Sequence, residues 1–202
     1  MSRLILVRHG NTKLNSGKRF WGKTDVELSD KGIQEAEKLR DRLAKEKINA
    51  IYASNLSRAR LTAEIIASKR KLNVTTRAEL NEINFGFLEG LTFEEIGKLH
   101  PEMAEVLSNW SVKPKFPGGE SLDDLNNRVQ KFLIRLQKHK PEETILIVSH
   151  AGTLRLLICN LLAIGLEHWR HIRLDLASLS IMETYPEGAV LSLLNDVSHL
   201  KY

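Results

Sequence analysis

Leu4-Ile5-Leu6-Val7-Arg8-His9-Gly10 is the stretch on which the reading of the fold turns. Four consecutive apolar strand formers are what a strand buried on both faces requires. Strands of that kind form parallel sheets covered by helices, and ligands gather at their carboxyl ends. Arg8 and His9 therefore stand at a cleft, and Gly10 lets the chain turn sharply out of the strand. A second strong run, Thr144-Ile145-Leu146-Ile147-Val148, ends in the same manner at Ser149-His150-Ala151-Gly152. Parallel strands place their carboxyl ends on one edge, so the spacing predicts that His9 and His150 face each other.

Between these two runs, strands and helices alternate. Ser29 or Asp30 caps a helix to about Glu46 along Ile33, Ala36, Leu39 and Leu43. Ala50-Ile51-Tyr52-Ala53 is a short strand whose exit, Ser54, leads into Arg58 and a helix to about Lys69. Val74 to Arg77 is a further strand, and short helices are expected at 93–99 and 101–110, with Pro101 in a first turn. A long helix from about Ser121 to His139 buries Leu122, Leu125, Val129, Phe132, Leu133 and Leu136. An apolar helix runs from about Thr153 to Ala163, and two alternating stretches, 178–184 and 189–194, flank the turn signal Pro186-Glu187-Gly188. The fold class is α/β: a three-layer α/β/α sandwich with a mainly parallel central sheet and an antiparallel edge. Residues 1–202 read as one domain, with an irregular, substrate-enclosing segment at about 78–120.

The chain has 202 residues, a formal net charge of +5, 42% hydrophobic and 27% charged residues, which suits an ordinary globular domain. Five or six like charges never occur in a row, so a nucleic-acid partner is not expected. No apolar stretch reaches 18 residues, so neither is a membrane partner. Cys159, the one cysteine, excludes an internal disulfide and a cysteine-based metal site, and reads as a small buried hydrophobe. The chain enters its first strand without a signal peptide, and the cytoplasm is the expected compartment. Two histidines and two arginines, Arg8 and Arg58, at one sheet edge make a poor metal site and a good phosphate site. No metal and no cofactor is expected. The partner is a small phosphorylated metabolite, and a homodimer stays open.

The motifs, in order, resemble the histidine phosphatase superfamily, the phosphoglycerate-mutase-like proteins, over nearly the whole chain. They are Arg8-His9-Gly10-Asn11-Thr12 with Asn15, Arg19-Phe20-Trp21-Gly22, Asp25 to Gly32, Ser54 to Ala59 with Thr62-Ala63, Leu80 to Gly86 with Glu89-Gly90, Pro117 to Ser121, and Ser149 to Gly152. Asn11 departs from the Glu or Gln more usual there, at a position that is not catalytic. The resemblance implies that His9 attacks phosphorus and carries the phosphoryl group. It implies that Arg8, Arg58 and His150 hold the phosphate oxygens, with Asn15 as a neutral donor. Glu82 is the implied general acid and base, with Glu89 as its rival. Trp21, Gly22 and Ala151 complete the implied substrate-binding set. Trp21, Phe85, Phe87 and Trp110 are candidate pocket walls as well as candidate core residues. His100, His139, His168, His171 and His199 read as surface or capping residues.

The family divides mainly into phosphatases and mutases. Mutases usually carry an Arg and a Tyr just after the acid, where this chain has Ile83 and Phe85, and a longer insertion before Glu120. The compact form resembles the small-molecule phosphatases, such as α-ribazole phosphatase and the metal-independent phosphoserine phosphatases. The expected reaction is hydrolysis of a small phosphomonoester through phosphohistidine, with α-ribazole 5'-phosphate one option. A cofactor-dependent phosphoglycerate mutase and a non-catalytic binding module on the same fold are the alternatives.

Overall fold

The computed structural model describes residues 2–14, 19–109 and 113–201. In chain order the elements are β1 (Ser2–Arg8), α1 (Asp30–Arg42), β2 (Ala50–Ser54), α2 (Ser57–Ala67), β3 (Val74–Arg77), α3 (Phe93–Leu99), α4 (Pro101–Ser108), α5 (Leu122–Leu136), β4 (Thr144–Ser149), α6 (Ala151–Leu161), β5 (Leu179–Tyr185) and β6 (Gly188–Asp196). The six strands form one sheet in the order β3-β2-β4-β1-β5-β6. β1, β4, β2 and β3 run parallel, while β5 and β6 add an antiparallel edge through the hairpin at Pro186.

Alternation along the central strands divides the core in two. Leu4, Leu6, Ile145 and Ile147 face Leu125, Val129 and Phe132 of α5 and Leu154, Leu157 and Ile158 of α6. Ile5, Val7, Leu146 and Val148 face Leu39 of α1 and Ala59, Ala63 and Ile66 of α2. The result is the three-layer α/β/α sandwich. Cys159 is fully buried among the α6 side chains, and burial pushes its thiol up to about 11.

Because α1 and α2 lie on one face and α5 and α6 on the other, the connections reverse direction between β1 and β4. In open α/β sheets that reversal opens a crevice at the carboxyl ends of the strands. Two local features shape it. The chain leaving β1 lies so close on the first turn of α1 that a Cβ at Gly10 would meet the Gly32 carbonyl oxygen at 2.7 Å, and one at Gly32 would meet the Asn11 carbonyl oxygen at 2.0 Å. The Asn11 side chain accepts a hydrogen bond from Ser29 Oγ at 2.7 Å, and Ser29 caps α1, so this departure from the family pattern has a structural task. α6 begins at Ala151, two residues before its apolar periodicity suggests, with His150 extended at the N-cap. The N–H groups of Ala151, Gly152 and Thr153 thus point into the crevice end of that helix.

Candidate active site

Register fixes the two histidines. Arg8 pairs with Ser149 and Val148 with Ala53, so β1, β4 and β2 end side by side. The His9 N–H donates to the Ser149 carbonyl at 3.0 Å, and the His9 and His150 rings lie 5.0 Å apart between centroids, tilted by 57°. His9 Nδ1 lies 2.8 Å from the carbonyl of Gly10. That oxygen can only accept, so Nδ1 carries the hydrogen and Nε2 keeps its lone pair. Burial, with Arg58 and Arg8 nearby, holds the His9 pKa well below 6.5, so the imidazole is neutral. An imidazole in this form can act as a nucleophile without first losing a proton.

Arg58, in the first turn of α2, is only 2% exposed. Its Nη2 and Nη1 donate to the carbonyls of Gly22 and Thr24 at 2.7 and 2.8 Å, and Nε donates to His150 Nδ1 at 3.2 Å. Nε2 of His150 therefore bears its hydrogen and donates to Ser54 Oγ at 2.8 Å, which donates onward to Asn81 Oδ1 at 2.8 Å. Burial first, then Arg58, His9 and Arg8, keep His150 neutral as well. Arg8 donates from Nη1 to the Leu174 carbonyl at 2.7 Å, but its Nε is buried without a hydrogen-bond partner among the described residues. Burial lowers the Arg8 pKa, and Glu82 opposes that shift. A buried guanidinium with an unanswered donor is a group built for an oxyanion.

Glu82 sits on the N-terminus of α6. Its carboxylate accepts from the backbone N–H groups of Ile83, Gly152 and Thr153 at 3.0, 3.1 and 3.3 Å. A Cβ at Gly152 would lie 2.5 Å from Glu82 Oε1, so glycine is what admits the carboxylate. Thr153 Oγ1 and Ser149 Oγ donate to the carbonyls of Asn81 and Leu80 at 2.6 and 2.7 Å. Arg128, from α5, donates to the carbonyls of Glu79, Asn81 and Glu82 and makes a forked ion pair with Glu120 at 2.9 and 3.0 Å. Glu89 has a different environment. Its carboxylate accepts from the N–H groups of Gly22, Lys23, Thr24 and Phe85, and so fixes the loop whose carbonyls hold Arg58.

The crevice opens into a cavity of about 560 Å³ bounded by Arg8, Glu82 and Ala151 and walled by Phe20, Trp21, Phe85, Phe93, Phe116 and Trp169. Thus His9, Arg8, Arg58, Glu82, His150, Trp21 and Ala151 are brought together. Asn15 and Trp110 lie outside the described residues. Gly22 lies beside Arg58: its N–H donates to Glu89 and its carbonyl accepts from Arg58. Phe87 is 70% exposed and is not a wall. His139 bonds Tyr52 and Glu143 behind the sheet, and His199 bonds the Ala177 carbonyl. The irregular segment at about 78–120, expected to enclose the substrate, supplies only part of the lining. Arg155, Trp169 and Arg170 form a further wall that sequence reasoning did not include, and Arg128 was not recognised as the anchor of Glu82. Among the described residues no group of three or more His, Cys, Asp or Glu could hold a metal, and no helix is long and apolar enough to cross a membrane.

A sequence model of the histidine phosphatase superfamily (branch 1) matches residues 4–197. Phosphoserine phosphatase 1 of Hydrogenobacter thermophilus is 34% identical, over 99% of this chain and 95% of that protein. The probable phosphoglycerate mutase GpmB of Citrobacter koseri is also 34% identical, with 99% and 95% covered. Among solved structures, a putative α-ribazole-5'-P phosphatase from Escherichia coli superimposes with a TM-score of 0.89 at 32% identity, over 96% of each chain.

Proposed function

The chain belongs to the histidine phosphatase superfamily, and on that premise we propose that it hydrolyses a small-molecule phosphomonoester through a phosphohistidine at His9. His9 itself supports this: a buried, neutral imidazole whose Nε2 has no hydrogen-bond partner among the described residues, with the charges of Arg58 and Arg8 bearing on it. Nε2 attacks phosphorus while the bond to the ester oxygen breaks, and Glu82 gives that oxygen its proton. Arg8 and Arg58 take the charge on the equatorial oxygens, joined by His150 once its Nε2–H turns from Ser54 to the phosphate, with Asn15 in the same role. Glu82, now ionised, takes a proton from water as the water attacks phosphorus and the P–N bond breaks. Each step balances without a metal, and activity independent of metal is part of the proposal.

The substrate is a phosphorylated metabolite, with α-ribazole 5'-phosphate one candidate because α-ribazole phosphatases share this fold. A mutase reading is favoured by the similarity to the probable phosphoglycerate mutase. Against it, the position expected to grip phosphoglycerate holds Ile83, which is only 1% exposed and apolar. The test is rapid quenching during turnover of p-nitrophenyl phosphate, with mapping of acid-labile phosphate. Phosphate on His9, lost in His9→Ala together with turnover, is expected. Label on His150, or none in a working enzyme, overturns the assignment. Conversion of 3- to 2-phosphoglycerate with little phosphate released would replace hydrolysis by transfer. Inactivity across a broad monoester panel would favour a binding module.

A further inference from the structure

Arg155 lies on α6 one turn beyond Ala151, on the same face, about 6 Å farther along the helix axis. Its Nε donates to the Ile172 carbonyl at 2.7 Å, which fixes the side chain and leaves both terminal nitrogens uncommitted among the described residues. Arg170 is fixed in a similar way, with Nη1 donating to the Leu107 carbonyl at 2.6 Å. Both guanidinium groups rest against one indole: Cζ of Arg155 lies 5.9 Å and Cζ of Arg170 5.3 Å from the Trp169 ring centroid. Trp169 is only 7% exposed, so this brace is part of the core rather than a surface contact. All three residues line the cavity that holds Arg8 and Glu82.

The charge balance of this wall is uneven. The carboxylate bearing on Arg155 is Glu82, already shared with Arg8 and Arg58, while Arg155 bears on Arg170 as a like charge. Two half-buried cations that bear on one another and are each held by a carbonyl are unfavourable unless an anion joins them. Arginine is also the residue whose planar fork matches a carboxylate or phosphate. The cavity this pair shares with Arg8 is walled largely by aromatic rings, and it is in the range that encloses ligands of drug size.

We propose that Arg155 and Arg170, braced on Trp169, form a second anion subsite, so that the preferred ligand carries a carboxylate or second phosphate joined by an apolar body to its transferable phosphoryl group. That this ligand is a substrate rests on the phosphatase reading; that it binds does not.

Binding of non-hydrolysable phosphonates separates the two. The probes are 3-carboxybenzylphosphonate and its uncharged counterpart 3-carbamoylbenzylphosphonate, titrated calorimetrically at fixed ionic strength. The acid should bind the protein at least about tenfold more tightly than the amide, the scale of one charge-assisted hydrogen bond. That ratio should fall in Arg155→Met and in Arg170→Met and approach one in the double variant, while Arg155→Lys, which keeps the charge, retains part of it. A bisphosphonate of the same span tells a carboxylate subsite from a second phosphate subsite by which anion gains more. A ratio near one in the unaltered protein overturns the subsite and leaves uncharged bodies such as α-ribazole as the ligand class. So does an undiminished ratio in a double variant that melts like the parent. If the double variant does not fold, the parent and Arg155→Lys still decide. Preference for the acid without hydrolysis of the corresponding phosphate esters would keep the subsite and remove the phosphatase reading.

Discussion

Gly152→Ala adds one methyl group, and that methyl meets the carboxylate of Glu82. The added Cβ would lie 2.5 Å from Oε1, with Oε2 already at 3.7 Å. Ordinary contact begins at 3.4 Å, so Oε1 must retreat by about 0.9 Å (3.4 − 2.5). The obstructing atom ends a side chain that can swing, and Gly152 lies inside helix α6, so the backbone accepts alanine. Helix propensity favours alanine over glycine by about 0.5–1 kcal/mol. Loss of the bonds from Gly152 and Thr153 works in the other direction, so the melting temperature should change little. A misplacement of about 1 Å costs a reaction about 100-fold, or about 2.7 kcal/mol. That loss should fall on steps in which Glu82 moves a proton. kcat/KM for an alkyl phosphate, whose leaving oxygen must be protonated, should drop about 100-fold. kcat/KM for p-nitrophenyl phosphate should drop far less, because nitrophenolate leaves unaided. Water attack still needs the base, so p-nitrophenyl phosphate should show a burst of about one nitrophenolate per active site before a slow steady state. Equal losses on both substrates, or no loss in a protein that melts normally, would refute the placing of Glu82 as the proton carrier.

Other outcomes follow from the same geometry. His9, His150 and His199 are all held below 6.5 in the folded chain, so on acidification the unfolded chain binds protons first. Stability should therefore fall as pH drops below about 6.5, by up to about 1.4 kcal/mol per pH unit for each histidine, and His9→Ala should flatten that slope in urea melts between pH 7 and 5. Arg128→Met strips Glu120 of its forked partner and three carbonyls of a donor, with the side chains 16% and 26% exposed. A loss of about 3–5 kcal/mol is expected, or a fall of about 6–20 °C in calorimetric melting; an unchanged melting temperature would show the clamp to be idle. Activity on p-nitrophenyl phosphate should survive exhaustive chelation and be blocked by vanadate; loss restored by magnesium or zinc would contradict a metal-free mechanism.

What the sequence disclosed, and what it did not, follows from the range of the contacts. β1 and β4 were legible because burial on both faces demands unbroken apolar runs, and their shared histidine ends announced the crevice. α5 and the terminal hairpin were legible from period and turn residues. Arg58 was legible from its place just past the end of the 50–53 strand, which brings a second arginine to the sheet edge. Glu82 carries no local signal: it is a carboxylate in an irregular loop, and only the family pattern singled it out. Arg128, Arg155, Trp169 and Arg170 were missed because their meaning lies in partners far along the chain. Arg128 reads as a solvated helix residue until residues 79–82 are laid across it, and Arg170 as a surface cation until Trp169 and Leu107 surround it.

The row of guanidinium groups from Arg58 through Arg8 to Arg155 and Arg170 also sets the terms on which a phosphatase would let its product go. Inorganic phosphate is an oxyanion that answers the Nε of Arg8, unpartnered among the described residues, and it leaves only by restoring the repulsion it had relieved. Product inhibition is thus inherent in the charges that bind substrate. At a phosphate concentration one hundred times its dissociation constant, the fold gains about 2.7 kcal/mol, while only about one site in a hundred is open to substrate. The medium that best preserves such a protein is therefore the one in which it works most slowly.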